Sequence, residues 1–162
     1  MIALPCVPHD GAGSLKLGMT RDALRQAARE AGLAPGAEHS DSDDFADEAI
    51  QVDYDSAGRV LFIGIASGSP AVAATWRDAP VSDTAAEDLF RMVAAGEGTG
   101  LHDFDPDGYL FPRQIVRLWS ADEQHDLIRR RSGGPLRRIW AQIGLGTPAY
   151  RAQVERMRGR DT

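Results

Sequence analysis

Ala49-Ile-Gln-Val-Asp-Tyr54 alternates apolar and polar side chains, Asp55-Ser-Ala-Gly58 is a turn, and Arg59-Val-Leu-Phe-Ile-Gly-Ile-Ala66 is an apolar run rich in β-branched residues. A period of two on either side of a short turn predicts two antiparallel strands, the first with one wet face and the second buried. Val72 to Trp76, after the Gly68-Ser-Pro70 turn, is expected as a third member, because connections this short join antiparallel neighbours.

Upstream, Ser14 to Gly18 reads as a short strand, and Thr20 is an N-cap for a helix over Arg21 to Ala31. Its apolar stripe is Ala23, Leu24, Ala27, Ala28 and Ala31, with Arg21, Arg25 and Arg29 expected to face water and Gly32 to end it. Residues 34–47 hold Pro, Gly, Ser and a dense set of carboxylates, the composition of a solvated loop. Residues 1–13 read as a loose N-terminal arm.

Downstream, Thr84 and Glu87 have capping-box spacing ahead of Leu89, Phe90, Met92 and Val93, which predicts a helix over 83–95. Tyr109 to Phe111 and Ile115 to Trp119 read as strands interrupted by Pro112. Ser120-Ala-Asp-Glu123 predicts a short helix to about Arg130, broken at Ser132-Gly-Gly-Pro135. Leu136 to Leu145 is read as a last strand, and Thr147-Pro148 opens a final helix through Met157. The expectation is a single α+β domain over residues 1–162, an antiparallel sheet of about five or six strands with helices 20–31 and 83–95 mainly on one face. Phe62, Ile63 and Trp119 are expected in its core.

With 43% apolar and 26% charged residues in 162, the composition is that of a globular chain with enough length for a core. No apolar run approaches the length of a membrane span, and Met1 to Ser14 lacks both a basic start and a signal-length apolar stretch, so the chain is expected in the cytoplasm. Cys6 is the only cysteine, which excludes an internal disulfide and a multi-thiolate zinc site. Cys6 and His9 would need two further ligands, and His39, His102 and His125 are scattered, so neither a metal nor another cofactor is expected.

Asp103-Phe-Asp105-Pro-Asp107-Gly108-Tyr-Leu110 matches the first eight positions of a calcium loop. Gln114 stands where that loop needs a bidentate glutamate, and Pro112 interrupts it. The alternative is a turn in which the aspartates bond their own backbone. The glycines at 11, 13 and 18 and from 96 to 100 do not open helices, so they build no phosphate cradle. No serine lies in a Gly-x-Ser-x-Gly turn. Arg129 to Arg131 is a basic run without interleaved aromatics in a chain of net charge −6, which argues against nucleic acid as a partner.

Charge is unevenly laid out: residues 1–112 carry 19 acidic and 7 basic side chains, and residues 113–162 carry 5 acidic and 11 basic. The densest acidic stretch is Glu38, Asp41, Asp43, Asp44, Asp47 and Glu48. It is either a solvated loop or an anionic surface that docks a basic protein partner. On the docking reading, reversing Asp43, Asp44 and Asp47 to lysine is expected to leave the melting temperature nearly unchanged while slowing association several-fold at low salt.

Leu15-Lys-Leu-Gly-Met-Thr20, Ile50 to Asp55 with Gly58-Arg-Val-Leu-Phe-Ile63, and Tyr109-Leu-Phe-Pro112 with Leu118-Trp119 together resemble a group of small uncharacterised bacterial proteins. Many of these look like immunity proteins of polymorphic toxin systems. The resemblance spans residues 15 to about 119 and implies a binding protein that neutralises a toxin, with a basic toxin domain as partner and no catalytic residues. The alternative is a structural or housekeeping α+β domain, and a small enzyme ranks third.

Overall fold

The computed structural model describes residues 1–98, 100–121 and 138–160. The fold is α+β, with strands in two sheets instead of one. Among the described residues the larger is antiparallel throughout and has seven strands in the order β10 (Gly108–Phe111), β11 (Val116–Trp119), β12 (Gln142–Gly146), β7 (Val60–Ala66), β6 (Ile50–Tyr54), β5 (Ser42–Phe45) and β4 (Pro35–Glu38). Its β6–β7 hairpin is the one the alternation predicts. Asp55 Oδ1 accepts from the Ala57 and Arg59 N–H groups at 2.9 and 3.0 Å, and Gly58 takes a φ of +77° to close the turn.

The smaller sheet runs β3 (Leu15–Lys16), β2 (Gly11–Ala12), β1 (Ile2–Val7), β8 (Val72–Trp76) and β9 (Ala79–Pro80). Residues 1–13, read as a loose arm, therefore supply strands with Leu4 and Ala12 buried. Val72–Trp76 does not extend the hairpin. It pairs in parallel with β1, Ile2 opposite Val72 through Pro5 opposite Thr75, and β7 instead takes β12 as its second neighbour. Residues 34–47 are not a loop but the β4–β5 hairpin, with Glu38 opposite Asp43.

Helix α1 (Arg21–Glu30) starts as expected, the Thr20 hydroxyl accepting from the Ala23 N–H at 3.2 Å. Helix α2 (Ala86–Glu97) follows a 3-10 turn at Val81–Asp83 and lacks the expected capping box. Thr84 donates instead to the Pro80 carbonyl at 2.7 Å, and Glu87 reaches Arg138. The buried Glu97 carboxylate accepts from the Arg113 and Gln114 N–H groups at 2.8 and 3.0 Å, tying the end of α2 to the turn before β11.

Helix α3 (Pro148–Arg160) begins with Thr147 Oγ1 accepting from the Tyr150 N–H at 3.3 Å. It packs on β7 and β12 of the large sheet through a cluster separate from the one that α1 and α2 share. Leu24 of α1 and Leu89 of α2 belong to a core cluster with Ile63, Ile65, Leu118 and Trp140, whereas Tyr150 packs with Leu61, Phe62 and Ile115. Phe62 stacks on Tyr150 with centroids 4.4 Å apart and fills the space over Gly144, where an added Cβ would lie 2.3 Å from Phe62 Cζ. The larger cluster runs through both sheets, joining Leu4, Val72 and Trp76 to Ile50 and Ile63. Each such side chain removed from water contributes about 1.5–3 kcal/mol.

No helix among the described residues is long and apolar enough to cross a membrane. The short helix expected from Ser120 to about Arg130, the break at Ser132–Pro135, the start of the last strand at Leu136 and the Arg129–Arg131 run lie outside the described residues, apart from Ser120 and Ala121.

Candidate functional site

Starting α1 at Thr20 puts Arg21 and Arg25 one turn apart on the same face. The β4–β5 hairpin lies against that face and, because side chains alternate along β5, turns Asp43 and Phe45 inward. Asp43 accepts five hydrogen bonds: from Arg21 Nε and Nη2 at 3.2 and 2.8 Å, from Arg25 Nε and Nη2 at 2.9 and 3.0 Å, and from the Tyr54 hydroxyl at 2.8 Å. Its side chain is only 3% exposed. Arg21 Nη2 also donates to the His39 and Ser42 carbonyls at 2.6 and 3.0 Å, and its guanidinium lies 4.8 Å from the centroid of the Tyr54 ring. Two arginines expected to face water are therefore the clamp that fixes the hairpin.

Burial alone raises the Asp43 carboxyl, but the hydrogen bonds from Arg25, Arg21 and Tyr54 outweigh it and hold the group well below the usual carboxylate range. Burial, then the hydrogen bond to that anion, pushes the Tyr54 phenol above its ordinary value. Asp43 is consequently anionic and spoken for, and it presents no charge to a partner.

The other five acids are dispersed around it. Glu38 is exposed and 3.5 Å from Arg25, Asp41 is exposed, and the half-buried Asp44 lies 3.6 Å from His39 Nε2. Asp47 and Glu48 are exposed at the β5–β6 turn, where Ala46, Asp47 and Glu48 take φ values of 54, 57 and 68° in succession. Left-handed backbone costs roughly 1–2 kcal/mol for each residue with a Cβ, so this acidic tip is held in a strained turn.

The hairpin's acids meet a second set that the sequence did not mark. Asp41, Asp53, Tyr54, Asp55, Ser56 and Leu61 face Ala149, Tyr150, Gln153 and Arg156 of α3 across a cleft of about 460 Å³. Burial raises the Asp53 carboxyl, and the like charges of Asp41 and Asp44 add to it against the hydrogen bond from Gln51. With Asp41, Asp53 and Asp55 against one arginine, Arg156, the described lining keeps a net negative charge that favours a further cation. The sign in the sequence was Asp53, a polar position of β6 opposite Ser42 of the acidic hairpin.

The remaining sequence candidates are placed elsewhere. Asp105 Oδ1 accepts from the Asp107 N–H at 3.0 Å, the turn geometry given as the alternative to a calcium loop. Gln114 points into the protein, donating to the Val93 carbonyl at 2.8 Å. Among the described residues no three acidic, histidine or cysteine side chains, Asp103, Asp105 and Asp107 included, are grouped to hold a metal. Cys6 is buried in β1, and burial pushes its thiol up to about 12 against the hydrogen bond from the Thr75 backbone. The His9 ring instead meets the Arg113 carbonyl at 2.9 Å.

Trp119, expected in the core, is 44% exposed, while Phe62 and Ile63 are buried. The signal was present in Val116-Arg-Leu-Trp119, because a strand that turns Arg117 outward turns Trp119 outward as well. Comparison with protein-family models, curated proteins and solved structures gives no match for this chain.

Proposed function

We propose that this chain is an immunity-type binding protein of the cytoplasm, a single domain that neutralises a basic toxin domain or another basic protein by docking it against the acidic β4–β5 edge and the adjoining cleft. The observation that carries this reading is the clamp on Asp43. It makes the acidic hairpin a fixed ledge instead of a solvated loop, so that Glu38, Asp41 and Glu48 are presented without the entropy cost of ordering a loop on binding. A cationic side chain entering beside Asp41 and Asp53 would offset their mutual repulsion. Density of like charge on a fixed surface also raises the rate of encounter with an opposite partner.

The test uses charge reversal at exposed positions whose one tie to the clamp is the 3.5 Å contact of Glu38 with Arg25, a largely solvated pair that contributes little to stability. The chain with Glu38→Lys, Asp41→Lys and Glu48→Lys is expected to keep a melting temperature close to that of the original. Its association with a partner co-purified from the native host is expected to be several-fold slower at low salt, with the difference shrinking as ionic strength rises. Equal rates at low salt would place the contact surface elsewhere. Asp43 is left out of this set because its reversal would set a lysine against Arg21 and Arg25.

A further inference from the structure

The opposite edge of the seven-stranded sheet carries a second surface. In β10–β11 the core-facing positions are Tyr109, Phe111, Val116 and Leu118, which leaves Gly108, Leu110, Arg117 and Trp119 on the outer face. Trp119 lies across Gly108, its Cδ1 3.6 Å from where a Cβ would stand, at ordinary van der Waals contact with the sheet edge. The last turns of α3 overhang this face. Leu110, Arg117 and Trp119 from the sheet and Val154, Met157 and Arg158 from the helix bound a groove of about 350 Å³.

Three properties of this groove point to one kind of occupant. β10 is the terminal strand of the described sheet, and among the described residues nothing pairs with its outer edge, the arrangement to which an extended segment can add. Trp119 is 44% and Met157 59% exposed, and together with arginine these are the side chains enriched where protein partners bury surface. Among the described lining residues positive charge is in excess, two arginines to one aspartate. Arg117 Nη1 donates at 3.1 Å to the neutral Tyr150 hydroxyl, and among the described residues neither Arg117 nor Arg158 has a carboxylate within ion-pair distance. Among the described residues Asp107, just before β10, is the one acid in the lining.

We propose that this groove binds an extended, acidic protein segment that adds as a strand to the outer edge of β10, with apolar side chains against Trp119 and Met157 and a carboxylate between Arg117 and Arg158. Arginine favours a carboxylate through its paired N–H donors. A single-stranded nucleic acid fits less well, because the walls beside the arginines are the aliphatic Leu110, Val154 and Met157 and the chain's net charge is −6. The proposal does not rest on the acidic-edge reading: the two sites share the α3 wall but no lining residue.

A library of short random peptides selected against the full chain tests this. The enriched sequences are expected to alternate apolar and acidic residues. A synthetic example should shift tryptophan emission to the blue, since Trp76 and Trp140 are already buried and Trp119 is the tryptophan left to be covered. Met157→Ala with Arg158→Glu should weaken binding about tenfold while the melting temperature holds. The Glu38→Lys, Asp41→Lys, Glu48→Lys chain should bind the same peptide unchanged. Failure to enrich any sequence, enrichment of peptides without carboxylates, undiminished binding by the double variant, or displacement of the peptide by oligothymidine would each overturn the proposal.

Discussion

The two edges of the seven-stranded sheet reverse the usual placement of charge and apolar surface. At the β4–β5 edge a carboxylate, Asp43, is turned inward and stitched to Arg21, Arg25 and Tyr54. At the β10–β11 edge a tryptophan is turned outward beside Met157, while Tyr109 and Phe111 pack with Phe90 at centroid distances of 5.1 Å each. Strand parity explains both. Once neighbouring residues fix a strand's register, every second side chain goes to the same face whatever its polarity. A carboxylate sent inward then has to be compensated by partners from other elements, and an indole sent outward stays uncovered until something binds it.

If the clamp and the groove differ as described, substitutions across the sheet should grade steeply. The largest effect is expected midway between the edges, at Phe62, which carries α3 and with it the helical wall of both the cleft and the groove. Phe62→Ala should cost about 3–5 kcal/mol in urea unfolding. A loss below about 1 kcal/mol would mean that α3 is held by other contacts and that neither surface depends on it.

Next comes Asp43→Asn, which removes the charge from a nearly buried acceptor of two guanidinium groups and should cost about 2–4 kcal/mol near neutral pH. Because the native carboxyl is depressed, its contribution is complete above the unfolded value of about 3.9 and is lost as pH falls through the lower native value. Urea midpoints of the two chains should therefore differ most from pH 5 to 7 and converge below about pH 4. A gap that persists unchanged into strong acid would show that the hairpin is held by packing and not by the ion pairs.

The smallest effect is expected at Trp119. Trp119→Ala should change stability by about 1 kcal/mol or less, because much of the indole is already in water in the native state. A loss approaching that of Phe62→Ala would put Trp119 in the core and remove the basis for a docking groove.

Much of the architecture was legible. The β6–β7 hairpin, the Thr20 cap, the Thr147-Pro148 helix start and the burial of Phe62 and Ile63 follow from local signals, namely alternation, a turn closed by aspartate and glycine, and a hydroxyl ahead of a helix. The acidic stretch was also visible, but its inner and outer members were not separable by composition. Pro35 to Phe45 is rich in turn formers and carboxylates, and its pairing as strands is sustained by contacts with residues distant in the chain, Arg21, Arg25 and Tyr54. Trp119 was misassigned by hydropathy where the alternation with Arg117 carried the better information.

By itself, then, the sequence determined the β6–β7 hairpin, the starts of α1 and α3, that the chain is an α+β protein, and that negative charge crowds the stretch from Glu38 to Glu48. Only the tertiary structure decided that Val72–Trp76 joins β1 in a second sheet, that α3 packs on β7 and β12 through a separate cluster, that Asp43 is a clamp while Asp41 lines a cleft, and that Trp119 meets solvent. The first group depends on the conformational preferences of a few adjacent residues. The second depends on which elements far apart in the chain are brought together, and a strand's pattern states which of its faces is apolar without naming the neighbour that will cover it.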